Sequence, residues 1–202
     1  KMVIRKNLKK KYALISVFDK KNLKYLCSNL NKHNYNFIST GSTGNKIRNM
    51  GFQCKDISKL TKFKELFEGR VKTLNPLIYS SLLYIRDNIN HIKQFESLNM
   101  PMIDIVVVNL YPFKKFLKKN SYNKILEMID IGGPSLLRAA SKNFQYVTPI
   151  IHLDDYKKLI NNLEKNNGVT DILFRKKMAS KIFRETSKYD KLISKWINEE
   201  NY

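Results

Sequence analysis

The sequence predicts an α/β domain in three layers, with a mostly parallel sheet, helices on both of its faces and a helical C-terminal segment. Three observations carry the prediction. Short apolar runs alternate with amphipathic stretches from Tyr12 onward, which is the pattern of βαβ units. One run, Ile103-Asp104-Ile105-Val106-Val107-Val108, is apolar at nearly every position, as a strand is when helices cover both of its sides. From Asp154 onward the apolar residues recur only at helical spacing.

The elements follow in order. Tyr12-Ala13-Leu14-Ile15-Ser16-Val17 reads as the first strand, and Leu23, Leu26, Cys27 and Leu30 line one face of the helix after it. Tyr35 to Ile38 is the second strand; a Ser/Thr/Gly loop then opens a helix over Gly44 to Met50, and a short strand lies near Cys54 to Ile57. Beyond a polar loop around Arg70 and Lys72, Pro76 to Ile85 and Asn90 to Leu98 read as helices leading into the strand Ile103 to Asn109. Ser121 is placed to cap a helix that runs to Met128. Pro134, whose missing N–H costs nothing in a first turn, begins a helix that ends at Lys142. Tyr146 to Ile151 reads as a strand, and Pro149, which cannot donate to a ladder, puts it at an edge. In the closing segment Leu159, Ile160 and Leu163 share a face, Gly168 stops the helix, and Thr170 caps a longer one. Its stripe of Leu173, Ile182, Phe183, Leu192, Ile193, Trp196 and Ile197 is expected to pack on the sheet or on a second copy. Residues 1–150 then form the core and residues 151–202 a helical extension of the same domain.

At 202 residues and 43% hydrophobic, the chain can bury one substantial core. Its longest apolar run is far short of a bilayer span, and the start, Lys1 to Lys6, has no apolar signal region. A soluble cytoplasmic protein is expected, with no membrane partner. Cys27 and Cys54 lack metal spacing, and three scattered histidines offer no ligand cluster; neither a metal nor another cofactor is expected. The net charge of +21 raises the question of nucleic acid. The lysines are spread along the chain, with short runs at Lys9-Lys10-Lys11 and Lys118-Lys119, and the aromatics occupy apolar positions. The charge therefore reads as a basic solvated surface, not a nucleic-acid face, and it favours phosphorylated ligands.

Three polar loops carry the candidate chemistry. Gly69-Arg70-Val71-Lys72-Thr73-Leu74 brings a guanidinium, an ammonium and a hydroxyl together, a set suited to an anion. Ile38-Ser39-Thr40-Gly41-Ser42-Thr43 precedes a helix, where free N–H groups and the positive dipole end receive phosphate; a plain helix cap is the competing reading. In Ile129-Asp130-Ile131-Gly132-Gly133-Pro134 a carboxylate stands between apolar residues, as a helix cap or as a paired catalytic group. Ser16, the Ser39 loop and Asn109-Leu110-Tyr111 all end strands, so they open on the carboxyl edge where ligands of such sheets bind. Lys72 and Lys142 are candidate cations, and Tyr111 precedes Pro112 where its hydroxyl can enter a cleft.

These motifs, in this order, resemble the IMP cyclohydrolase domain of the bifunctional purine-biosynthesis enzymes that also carry AICAR transformylase. The blocks are Ala13 to Val17 with Asp19-Lys20, Ser39 to Gly41 with Thr43, Gly69 to Leu74, Val106 to Phe113, Ile129 to Pro134, and Leu137 to Asn143. The resemblance implies the fold of methylglyoxal synthase, no cofactor, and a transformylase domain following in the family. It implies ring closure of a formylated aminoimidazole carboxamide ribonucleotide (FAICAR) to IMP, with a homodimer as the assembly. Carried over by position, Ser16, Lys20, Ser39, Thr40, Gly41, Thr43 and Arg70 would hold the 5′-phosphate, and Lys72, Tyr111, Asp130 and Lys142 would surround the reacting ring. Thr73, Asn109, Ile131 and Gly132 fall in the same motifs and are expected to touch the substrate. A non-catalytic nucleotide-sensing module of the same fold is the alternative. The chain departs from the family at Asn75-Pro76-Leu77-Ile78-Tyr79-Ser80-Ser81, where His-Pro-Lys-Ile-His-Gly-Gly is usual, and at Phe18, where a second Ser is usual. Lys21-Asn22 and Ser42 stand where Thr-Gly and Gly are usual. Slower catalysis is expected from these changes before loss of it.

Overall fold

The computed structural model describes residues 10–117 and 120–199. The start at Lys1 to Lys6, Lys9, the Lys118-Lys119 run and the final residues from Glu200 lie outside them. Five strands form one sheet: β1 (Lys11–Val17), β2 (Tyr35–Ser39), β3 (Cys54–Asp56), β4 (Ile103–Asn109) and β5 (Thr148–Ile150). Their order is β3-β2-β1-β4-β5, and every pairing between them is parallel. β5 lies at an edge, as Pro149 requires.

The helices are α1 (Leu23–Lys32), α2 (Gly41–Asn49), α3 (Ile57–Thr61), α4 (Pro76–Leu83), α5 (Ile89–Ser97), α6 (Phe113–Phe116), α7 (Tyr122–Glu127), α8 (Gly132–Lys142), α9 (Asp155–Lys165) and α10 (Ile172–Glu199). Alternation along the strands divides the core between two faces. Leu14, Ile38, Val106 and Val108 pack with Ile78 and Leu82 of α4, Leu137 of α8 and Ile182 of α10. Ala13, Ile15, Phe37 and Val107 pack with α1, with Ile47 of α2 and with Leu159 and Leu163 of α9. Burying each such side chain stabilises the fold by about 1.5–3 kcal/mol. A third cluster joins Phe113, Ile125, Tyr189 and Trp196 beneath the end of α10.

Several boundaries differ from the sequence reading, each for a local reason. β3 stops at Asp56 because that side chain caps α3, its Oδ1 accepting the Ser58 N–H at 2.9 Å. The short turn Phe67–Gly69 and the helix α6 carry no periodic pattern long enough to announce them. α2 and α8 begin earlier, at Gly41 and Gly132, so Pro134 lies within the first turn of α8. Ser121 stands at the start of α7 without a side-chain cap bond. Thr170 does not cap α10: its hydroxyl pairs with that of Thr148 at 2.7 Å, while Asp171 Oδ1 accepts the Phe174 N–H at 2.7 Å. The α10 stripe packs on its own sheet through Ile182 and on α6 and α7 through Trp196, but Leu173, Phe183 and Ile197 remain exposed. Among the described residues no helix is long and apolar enough to cross a membrane.

Candidate active site

From β1 the chain moves to β2 on one side and later returns through β4 on the other. The carboxyl ends of β1 and β4 are therefore the topological switch point, where the outgoing loops part and leave a crevice. A cavity of about 630 Å³ occupies that place. It receives Ser16 and Lys20 from the end of β1, Thr40, Gly41 and Thr43 from the start of α2, and Asn109 and Tyr111 from the end of β4. Arg70, Lys72 and Thr73 reach it from the loop after α3, and Asp130, Ile131 and Gly132 from the start of α8. Segments more than 100 residues apart in the chain thus meet at one sheet edge.

Two helices, α2 and α8, aim their N-termini at the cavity. Each contributes first-turn N–H groups and a positive dipole end, an arrangement that receives anions. Glycine suits both starts, and at Gly41 a left-handed backbone favours it. Gly41 adopts φ +46°, and a Cβ there would stand 2.8 Å from Lys72 Nζ. A Cβ at Gly132 would stand 2.6 Å from Thr73 Oγ1. Lys72 thus holds its ammonium directly over the start of α2. A cation beside a positive helix end is unfavourable alone, and Glu65 offsets it with Oε2 at 2.6 Å from Nζ. Arg70 is similarly engaged, its Nε 3.5 Å from Glu127 Oε2. Both pairs are largely exposed, so each contributes at most about 1 kcal/mol, and a multiply charged anion competes well for either cation.

Asp130 turns its carboxylate onto the first turn of α8, where Oδ1 accepts the Gly133 N–H at 2.8 Å. Its own N–H donates to the Tyr189 hydroxyl at 2.8 Å, which ties it to α10. Burial raises the Asp130 pKa above the ordinary carboxylate value, and the Gly133 bond offsets only part of that shift. Asp130 thus caps the first turn of α8 and is buried with a raised pKa, and no ion pair joins it to Lys72 or Lys142 among the described residues.

Other side chains in the motifs hold the scaffold. The Ser39 hydroxyl is fully buried and donates to the Ile15 carbonyl at 2.6 Å; it does not reach the cavity wall. Thr43 Oγ1 donates to Val17 O at 3.0 Å and accepts Val17 N–H at 3.2 Å, fastening α2 to β1. Asn109 accepts the N–H groups of Phe18 at 2.6 Å and Asp19 at 3.0 Å and donates to Asp19 O at 2.8 Å. Lys142 is not brought to the cavity. It is exposed at the last residue of α8, and eleven residues of helix put it about 16 Å along the axis from the cavity end.

Nothing in the local sequence marks Glu65, Glu127 or Tyr189, which pair with residues up to 61 positions away. Among the described residues no group of three His, Cys, Asp or Glu side chains is placed to hold a metal ion. Donors at two helix starts, solvent-accessible cations and a buried acid beside them suit a phosphorylated substrate whose reaction needs proton transfer.

Comparison with known proteins agrees with this geometry. The family model of the MGS-like domain matches residues 22–135, and that of the AICARFT/IMPCHase bienzyme matches residues 140–202. The bifunctional purine biosynthesis protein PurH of Clostridium botulinum (strain Hall) is 46% identical over 193 residues, covering 95% of this chain and 38% of that protein. PurH of Ruegeria sp. (strain TM1040) is 40% identical over 186 residues, covering 92% of this chain and 35% of that protein. The chain thus spans well under half the length of the curated relatives it matches. The crystal structure of ForH superposes with a TM-score of 0.84 at 28% identity, over 93% of this chain and 97% of that one. With more than half of its length matched by that first model, and with the parallel sheet and switch-point cavity in place, the chain belongs to the family of MGS-like domains.

Proposed function

We propose that this chain is an IMP cyclohydrolase, closing the ring of FAICAR to IMP in purine biosynthesis. The observation that carries the reading is the convergence of Lys72, Tyr111 and Asp130 with the starts of α2 and α8 on one cavity. PurH relatives and the AICARFT/IMPCHase match support it, and they weigh against a non-catalytic sensor. The α2 start, with Ser16, Lys20, Thr40, Gly41 and Thr43 around it, takes the 5′-phosphate; Arg70 leaves Glu127 to meet it, while Lys72 leaves Glu65 for the reacting ring. Thr73, Asn109, Ile131 and Gly132 line the remainder of the substrate's berth, and Ser39 supports the loop from beneath.

The chemistry asks for three things of the protein. The carboxamide nitrogen is a poor nucleophile, the formyl oxygen gains negative charge during attack, and that oxygen must leave as water. Asp130 accepts a proton from the attacking nitrogen, for which its raised pKa suits it. Lys72 and Tyr111 stabilise and protonate the formyl oxygen. Holding the two substituents of the imidazole ring together supplies much of the remaining acceleration. No cofactor takes part in this scheme.

Residues 1–150 supply the binding and catalytic core, and residues 151–202 an extension that buttresses it through the Tyr189 bond to Asp130. A homodimer fits this reading if a second copy brings Lys142, exposed at the far end of α8 in its own chain, to the neighbouring cavity. The transformylase half belongs to the part of the relatives' length that this chain does not span, and the cytoplasm is the compartment that fits the role. The test is to supply the formylated ribonucleotide and follow IMP by chromatography, with Lys72→Ala beside the exposed Lys165→Ala. Loss with the first variant and full activity with the second supports the assignment. Equal loss in both means the effect is one of general charge, and no IMP from the unaltered protein overturns the proposal.

A further inference from the structure

Phe18 stands in the cavity wall, and the phosphate scheme gives its ring no role. Phe18 is 42% exposed, lines the cavity, and packs its ring against that of Tyr111 with centroids 4.7 Å apart and planes tilted by 46°. Tyr111 is itself 38% exposed. Two aromatic rings therefore present surface to a cavity whose other walls mix cations, carboxylates, hydroxyls and aliphatic side chains, and among the described residues no other ring lines it. What sets this pair apart is that both rings face one cavity, where a flat π-system covers them well.

The placement is also rigid. Asn109 grips the backbone at Phe18 and Asp19 with three hydrogen bonds, and Lys20 Nζ donates to the Phe18 carbonyl at 3.3 Å. The ring thus hangs from the best-fastened part of the loop, beside the Val17–Thr43 clasp at the edge of the phosphate berth. Val17, next to Phe18, is bonded to Thr43 of α2, so the aromatic wall and the α2 start border the same cavity.

We propose that Phe18 is a specificity-determining residue: with Tyr111 it forms an aromatic wall that receives the planar heterocycle of a phosphorylated nucleoside, while the start of α2 receives the phosphate. The site consequently selects purine-type nucleotides over sugar phosphates of the same charge. The inference rests on the cyclohydrolase reading for the location of the phosphate.

The test compares Phe18→Ser, Phe18→Leu and Phe18→Tyr with the unaltered protein by calorimetric titration of two probes. IMP carries phosphate, ribose and heterocycle; ribose 5-phosphate lacks the heterocycle. Loss of one stacking contact weakens IMP by about tenfold in the Ser and Leu variants. The Tyr variant keeps IMP within about twofold, and ribose 5-phosphate stays within about twofold throughout. Circular dichroism checks folding, and the Leu variant, which keeps apolar volume, carries the test if the Ser variant unfolds. Unchanged IMP affinity in the Leu and Ser variants overturns the inference, as does a parallel loss of both probes. If the pattern holds but FAICAR is not turned over, the wall stands and the catalytic assignment falls. If the unaltered protein binds neither probe, both fall.

Discussion

Replacing Gly133 by Ala probes the catalytic geometry without touching a functional group. A Cβ at this position would stand 3.0 Å from Asp130 Cγ and 3.1 Å from Leu110 Cδ2. Carbon atoms in contact settle at about 3.5–4.0 Å, so the carboxylate must withdraw by roughly 0.5–1 Å. The withdrawal breaks the 2.8 Å bond from the Gly133 N–H to Oδ1, a charge-assisted bond whose loss costs about 1.5–3 kcal/mol. Alanine returns about 1 kcal/mol through its better helix propensity. The net loss of roughly 0.5–2 kcal/mol lowers Tm by about 1–8 °C in a chain of this size. Turnover should suffer far more, because misplacing a reacting group by about 1 Å costs on the order of 100-fold. Gly51→Ala is the control: Gly51 has φ +87° with nothing within 4 Å of an added Cβ, so strain of about 1–2 kcal/mol acts far from the chemistry. Steady-state kinetics of IMP formation and a thermal melt read both variants. Gly133→Ala activity within twofold of the unaltered protein, or an equal loss in Gly51→Ala, would refute the role given to Asp130.

Three further outcomes are expected. Asp130→Asn keeps an acceptor for the Gly133 N–H but removes the buried charge; because burial raises the pKa of Asp130, its ionised form costs stability above the ordinary carboxylate range. Tm at pH 7 should therefore not fall, the difference from the unaltered protein should vanish below pH ~4, and turnover should drop by about 100-fold or more. Asp155→Asn behaves in the opposite sense. Burial alone would raise the Asp155 pKa, but its bonds to Lys181 at 2.6 Å and Lys158 at 3.2 Å hold it below the usual value, so its contribution is present above the ordinary carboxylate pKa and disappears as pH falls through the lowered one. Breaking that buried pair costs about 3 kcal/mol, read as a Tm loss of roughly 6–12 °C at pH 7 that shrinks in acid. Lastly, Lys142→Ala and Lys72→Ala should each be nearly inactive, but mixed in equal amounts after dissociation they should recover about a quarter of the activity, since half of the dimers then carry one intact site; no recovery would exclude a contribution from a second copy.

Much of this arrangement is legible from local pattern. Alternating apolar runs fix the strands, Pro149 fixes an edge, and the Ser/Thr/Gly and Arg/Lys loops fall at strand ends where a parallel sheet binds its ligand. What stays hidden depends on partners distant in sequence. Ser39 reads as a phosphate ligand until its hydroxyl is seen bound to Ile15. Lys142 joins the ring-facing set only through the resemblance; α8 holds it at the end of the helix away from the cavity of its own chain. The cap of α10 is assigned to Thr170 because hydroxyls favour that role, yet Asp171 takes it once Thr170 has paired with Thr148 across the structure. The exposed Phe18 is visible in the sequence only as a missing serine; its packing on Tyr111 is a property of the fold.

The most direct measurement is conversion of FAICAR by the unaltered chain and by Lys72→Ala and Asp130→Asn, with IMP and released substrate quantified in the same reaction. Multiple turnovers in the first, with loss of about 100-fold in each variant while IMP still binds, is the result expected of ring closure at the switch-point cavity. IMP bound tightly by all three proteins and formed by none would contradict it.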